Sequence, residues 1–243
     1  MSGQLAVSRQ RSVSPLAWLI ASVVAASVGL LAVAVLQWND EDLVLLGALA
    51  GLALVSELLD FSPFGNSRVS LSVALILVAG TVSGLPGVAV VVSVAVVTDF
   101  VVHPKPVYKA AFNEGALLLA GAAYVGVFEA FSIGYRGENW PDVLGPALLG
   151  SVLYFVINSG LVTLAIAIDT RNHPFSVWNE KFRWLFPHYI IVGILAVMTA
   201  TAYERWELAG VALLALPLAM VWLALRQYAS LASALARRLE SAS

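Results

Sequence analysis

The sequence predicts an all-α polytopic membrane helix bundle of about eight transmembrane helices with both termini in the cytoplasm. Three observations predict it. Of 243 residues, 60% are hydrophobic and 12% are charged, about half the charged fraction of roughly 25% found in soluble domains. So few charges cannot cover a water-exposed fold of this size, whereas lipid tolerates an apolar exterior. The apolar residues form long continuous runs, not the alternating pattern of a membrane β-barrel. The basic residues fall almost entirely in alternate gaps between the runs.

The runs are Pro15–Leu36, Leu43–Leu59, Val69–Ser83, Pro86–Val102, Val107–Phe131, Val143–Ile168, Leu185–Tyr203 and Leu208–Leu225. A helix needs about 20 apolar residues to cross about 30 Å of hydrocarbon, so the spans consume most of the chain. One set of gaps holds Arg9, Arg11, Arg68, Lys105, Lys109, Arg171, Lys181, Arg183, Arg226, Arg237 and Arg238; the other holds Arg136 and Arg205. Eleven against two is a positive-inside bias over short loops, and it places the chain in the cell inner membrane with N- and C-termini in the cytoplasm. The opposite gaps carry Asp40, Glu41, Asp42, Glu129, Glu138, Asp142, Glu204 and Glu207. The organisation is a cytoplasmic N-terminal segment (1–14), a transmembrane bundle (15–225) and a cytoplasmic helical extension (226–243).

The elements follow in order. Basic Arg9 and Arg11 precede the first run, but that run is too long for a signal peptide and lacks a cleavage site, so it reads as a retained helix. Trp38, Trp140, Trp178, Trp184 and Trp206 stand at predicted span ends, where amphipathic rings occupy the headgroup level. Pro63, Gly65 and Asn66 mark a turn after the second span, and Asp60 there is placed to pair with Arg68. Gly84-Leu85-Pro86-Gly87 predicts a tight antiparallel hairpin of spans three and four, with a re-entrant third span as the alternative. The fourth span carries Gly87, Ala89, Ser93 and Ala95, small residues that let helix backbones approach closely. Asp169–Arg183 reads as the longest cytoplasmic loop, and Pro217 predicts a kink in the last span. Val221, Leu225, Tyr228, Ala232, Leu235 and Leu239 step at heptad spacing; the segment reads as a homodimer seam or as an amphipathic tail on the membrane surface.

Ionisable groups inside a membrane are costly and each is a functional hypothesis. Glu57, Asp60, Asp99 and Glu114 all lie toward the cytoplasmic ends of their spans. Short loops make spans four and five neighbours, which allows Asp99 to pair with Lys109. Asp99, Lys109, Asn113 and Glu114 read either as a polar network that fixes helix packing or as a ligand or proton site. Tyr154 and Asn158 are one turn apart on one face of span six, and read as interhelical hydrogen-bond partners or as ligand contacts. The ligand-binding candidates are Asp99, Asn113, Glu114, Tyr154 and Asn158.

Other chemistries find no support. The absence of cysteine removes disulfides, thiolate metal sites and thiol nucleophiles. His103, His173 and His188 have neither the helical spacing of a zinc pair nor the intramembrane placement of haem ligands. No metal site is predicted, and no cofactor is indicated. No nucleophile elbow or phosphate loop occurs, so the chain reads as a non-enzyme. No basic patch with interleaved aromatics points to nucleic acid. The partners expected are the lipid bilayer, a small-molecule ligand and a second copy of the chain.

Arg68-Val69-Ser70-Leu71-Ser72-Val73-Ala74 leads into the Gly-Leu-Pro-Gly hairpin, and Asp99, Pro106-Val107-Tyr108-Lys109 and Phe112-Asn113 follow. This pattern, over about a fifth of the chain, resembles the multi-helix membrane sensor modules that precede HD-domain phosphohydrolases and diguanylate cyclases in bacteria. The resemblance implies an input or anchoring role in signalling, with the last helix running on into a cytoplasmic output domain. The chain is more distantly similar to the six-helix substrate-binding subunits of vitamin importers, from which eight spans depart. The function expected is therefore a membrane sensor that binds a small or lipophilic ligand or senses the bilayer. A small transporter, or the substrate-binding subunit of one, in which Glu114 and Asp99 bind a cation or relay protons, is the first alternative. A structural subunit of a membrane complex is the second.

Overall fold

The structure, a computed structural model, describes residues 14–38, 43–58, 72–133, 140–212, 223 and 227. Within them the chain forms seven helices: α1 (Pro15–Leu36), α2 (Leu43–Leu58), α3 (Ser72–Val102), α4 (Val107–Ala130), α5 (Trp140–Thr170), α6 (Pro174–Lys181) and α7 (Phe186–Trp206). No strand occurs among the described residues. Among the described residues, five helices are long and apolar enough to cross a membrane: α1, α3, α4, α5 and the segment Arg183–Trp206 that contains α7; α2 is apolar but shorter.

Local sequence sets the ends. Ser14 caps α1, its Oγ accepting from Ala17 N–H at 3.2 Å, with Pro15 in the first turn, where a missing N–H costs nothing. Pro106 precedes α4, and Pro174 opens α6 behind His173, whose Nδ1 accepts from Phe175 N–H at 3.3 Å. The segment expected to be a cytoplasmic loop, Asp169–Arg183, is thus largely helical: the end of α5, then α6, then a 3-10 turn over Arg183–Leu185. Trp178 has a packing role of its own. Its Nε1 donates to Ser159 Oγ at 3.1 Å and its ring packs 6.0 Å from that of Phe155, so it pins α6 against α5. Trp38, Trp140, Trp184 and Trp206 are exposed at helix ends, as interfacial rings are.

Spans three and four are one helix broken at Gly84, where φ is 61° and ψ is −145°. That left-handed φ suits glycine, which lacks a Cβ. The chain doubles back there. A Cβ on Gly87 would stand 2.6 Å from the carbonyl oxygen of Ala79, and one on Gly80 would stand 3.0 Å from Val88 Cγ2. In a continuous helix, residues eight apart would be about 12 Å apart. The described first arm, 72–83, rises only about 18 Å, less than the hydrocarbon thickness. Every residue from Ser72 to Thr81 is buried, the mark of a helix covered on all sides by other helices.

The hairpin packs against α2, α4 and α7, α4 packs against α1 and α5, and α5 packs against α7. Glycines permit these close approaches: Gly115 against Val23 joins α4 to α1, Gly121 against Val88 joins α4 to α3, and Gly150 against Tyr124 joins α5 to α4. Tyr124 is fully buried at the centre. Its hydroxyl lies 2.6 Å from Thr81 Oγ1, which donates onward to Leu77 O at 2.8 Å. Tyr124 is therefore the donor across the α3–α4 contact.

The eight-span count is thus described as five helices of spanning length plus α2. Spans three and four merge into broken α3, and Leu208–Leu225 is described only at 208–212 and 223. The Asp60–Arg68 pair, Pro217 and the heptad seam from Val221 lie outside the described residues.

Candidate functional site

One end of the bundle gathers the starts of α1, α3, α4 and α7 and the ends of α2, α3 and α5. They surround a cavity of about 720 Å³, within the range of roughly 300–1,000 Å³ typical of small-molecule sites. Both arms of α3 reach it, through Ser72 and Val73 on the first and Asp99 on the second, with His103 just past its end; this follows from the hairpin. Leu16 and Ile20 of α1, Val96 of α3, Leu117 of α4 and Val162 and Ile166 of α5 supply an apolar wall. Lys105, Lys109 and Asp169 belong to the charged part of the lining.

The charges at this end are partly consumed by one another. Lys105 Nζ donates to Asp99 Oδ2, and His103 Nδ1 lies 3.3 Å from Asp99 Oδ1. Asp99 was expected opposite Lys109. It pairs with Lys105 instead, with His103 Nδ1 close by but making no hydrogen bond, because the turn over His103–Pro106 folds back across the last turn of α3, while Lys109 stands on α4 and is exposed. Among the described residues, no group of three or more His, Cys, Asp or Glu is placed to hold a metal ion.

Of the five candidate residues, Asp99, Asn113 and Asn158 line this cavity; Glu114 and Tyr154 are not among its lining residues. Glu114 Oε1 accepts from Ser93 Oγ at 3.2 Å, which ties α4 to the second arm of α3. Tyr154 is fully buried behind the lining, with its ring 6.0 Å from that of Tyr189. Neither the Tyr154 hydroxyl nor Asn158 Oδ1 has a hydrogen-bond partner among the described residues.

Three further lining groups were not among the candidates. Phe155 and Tyr189 pack with ring centroids 4.9 Å apart, and His188 meets Tyr189 edge-on at 6.0 Å. In the sequence His188 bears only on the metal and haem question, and Phe155 belongs to an apolar span. Their signal was weak but present: Phe155 follows Tyr154 directly, and Pro187-His188-Tyr189 opens an apolar run. Glu57, read as an intramembrane acid, is buried at the end of α2 and lines the cavity from that side.

The described residues form an all-helical apolar bundle with a cavity of mixed polar and apolar lining at one end, and a family comparison adds to this. The MASE9 family model matches residues 45–230, from α2 onward. The chain belongs to the MASE9 family. This is a family of membrane-associated sensory domains, so the chain is a membrane-associated sensory domain with several apolar membrane helices. Neither curated proteins nor solved structures give a match.

Proposed function

We propose that this MASE9 domain is the input module of a bacterial signalling protein. It lies in the inner membrane with both termini in the cytoplasm and binds a small or lipophilic ligand in the cavity formed by its helix ends. The observation that carries this reading is that cavity. It combines an apolar wall with Asn113, Asn158 and the Asp99–Lys105 pair, and it sits at the end of the bundle carrying Lys105, Lys109 and Arg171. The positive-inside rule assigns that end to the cytoplasm. Seven helix ends border the cavity, so an occupant touches most of the bundle at once. A ligand shifts such a bundle only if it binds two helix arrangements unequally. The last span would carry the shift into a cytoplasmic output domain of the HD-phosphohydrolase or diguanylate-cyclase type. Glu114, satisfied by Ser93, then acts in packing, while Asp99 belongs to the site.

An output assay tests this. The chain is joined through its C-terminal end to a diguanylate cyclase domain, and cyclic dinucleotide is measured in cells. Filling the cavity with Leu117→Trp should change output several-fold at equal membrane abundance. Output unchanged by Leu117→Trp and also by Asp99→Ala would refute the input role.

A further inference from the structure

We infer that Glu207 is a strained hinge at which the last span swings relative to α7, between a closed hairpin and an open one in which Glu207 returns to ordinary backbone angles. The inference rests on the input role proposed above and names the pivot through which the cavity and the last span communicate.

The molecule contains the same turn twice. At Gly84 the backbone has φ 61° and ψ −145°, and at Glu207 it has φ 48° and ψ −132°. Three residues beyond each break stands a glycine, Gly87 or Gly210, and five residues before it an alanine, Ala79 or Ala202. In both turns a Cβ on the glycine would collide with the carbonyl group of the alanine eight residues earlier. The chain is helical again over 208–212, as it is beyond Gly84. Each turn therefore folds the chain back tightly on the helix before it. The two helices concerned, α3 and α7, pack against each other. Both turns lie at the end of the bundle away from the cavity, because Ser72, Asp99 and His188 line the cavity from the other ends of these helices.

The two turns differ at the pivot. Their angles are the mirror image of extended backbone, a region that glycine enters freely and that a Cβ closes to other residues by steric clash. Gly84 thus turns without strain. Glu207 carries a Cβ and holds nearly the same angles, a costly conformation that persists only where surrounding contacts impose it. Among these contacts, Glu207 N–H donates to Tyr203 O at 2.7 Å and Gly210 N–H donates to Glu207 O at 3.0 Å. The strain raises the closed hairpin toward the open one in energy, so that a ligand with a modest preference for one arrangement shifts their balance. A large change of φ and ψ at one residue between helices is how a hinge works. The place also suits the input role. Helix α7 borders the cavity at His188 and ends one residue before Glu207, where the last span begins.

Spin labels on an Ile191→Cys, Leu223→Cys double variant of the full chain in lipid nanodiscs test the hinge. Both residues are exposed, and each is 16 residues from Glu207. Double electron–electron resonance should show two label separations, a shorter one for the closed hairpin and a longer one for the open. Glu207→Gly should remove the longer one. Glu207→Ala, which drops the carboxylate and keeps the Cβ, should retain both. Equilibrium unfolding in mixed micelles is the second readout. Glu207→Gly should have an unfolding constant about tenfold lower than Glu207→Ala, the strain relieved less the entropy that glycine loses on folding. Gly84→Ala should raise the constant by about as much, since Val125 Cγ1 at 3.9 Å is the nearest atom to a Cβ there and leaves backbone strain as the cost. A distance distribution that Glu207→Gly leaves unchanged, or a Glu207→Gly variant no more stable than Glu207→Ala, overturns the hinge. Neither readout involves an output domain, so the input role stands or falls separately on Leu117→Trp and Asp99→Ala.

Discussion

Replacing Tyr124 by alanine is expected to destabilise the bundle by about 2–3 kcal/mol, the largest loss from any single side chain considered. Tyr124 is fully buried where the first arm of α3, α4 and α5 meet; its ring faces Gly80 and Gly150 and packs edge-on against Phe128 at 5.3 Å. The energetics differ from those of a water-soluble core. Lipid is as apolar as a side chain, so little transfer energy is at stake between helices. What remains is the lost packing. Removal of about 100 Å³ at roughly 24 cal/mol per Å³ gives about 2–3 kcal/mol. Tyr124→Phe keeps the ring and loses only the bond to Thr81, whose hydroxyl still donates to Leu77 O. It should cost about 0.6 kcal/mol, the average for an interhelical hydrogen bond in a membrane. Equilibrium unfolding of the two variants in mixed micelles measures the difference. A phenylalanine variant as unstable as the alanine variant would show that the hydroxyl, not packing, holds this junction.

Gly87→Ala should cost about 1–3 kcal/mol, the usual range for overpacking. The added Cβ would lie 2.6 Å from Ala79 O and 3.0 Å from the Ala79 carbonyl carbon. Both are backbone atoms that cannot rotate away, so relief requires the arms of the hairpin to separate. Separation would also shift Ser72 and Asp99, which line the cavity from the two arms. Gly126→Ala on α4 is the matched control, because a Cβ there meets nothing within 4 Å. It should be neutral or stabilising by up to about 1 kcal/mol, since alanine favours helix over glycine. Equal losses in the two variants would contradict the hairpin geometry.

Elements governed by local rules were legible in the sequence. Pro15–Leu36 is a helix with the bounds expected, because Ser14-Pro15 starts it and the polar Gln37 follows it. Gly84 breaks α3 where the Gly-Leu-Pro-Gly run predicted a hairpin. The membrane class followed from composition. Elements governed by tertiary contact were less legible. Helix α6 is short and polar enough to read as loop, and it is held by Trp178 reaching Ser159 nineteen residues earlier, a contact without a local signature. Helix α5 begins at Trp140, three residues before the expected start, because Pro141 and Asp142 suit a first helical turn as well as a loop.

The candidate site divides in the same way. Asn113 and Glu114 are adjacent in sequence, yet about 100° of helical turn separates them; Asn113 lines the cavity while Glu114 meets Ser93. Sequence spacing could bring these residues to one level of the bundle but could not say which faced inward. Phe155, His188 and Tyr189 come together only because α6 and the following turn carry the chain back along α5 before α7 begins, so that the first turn of α7 packs beside Phe155. The Asp99–Lys105 pair depended on the fold of a four-residue turn, a detail finer than helix register.

The proposed cytoplasmic placement of the cavity is open to a direct test, because the chain has no cysteine. Lys109 is exposed at the start of α4 on the cavity lining, and Glu129 is exposed near the opposite end of the same helix. Single Lys109→Cys and Glu129→Cys variants would be treated with a membrane-impermeant maleimide, in intact cells and in inside-out membrane vesicles. Lys109→Cys should label in the vesicles and not in cells, and Glu129→Cys should label in cells and not in vesicles. The reverse pattern would place the cavity on the outer face and contradict the account.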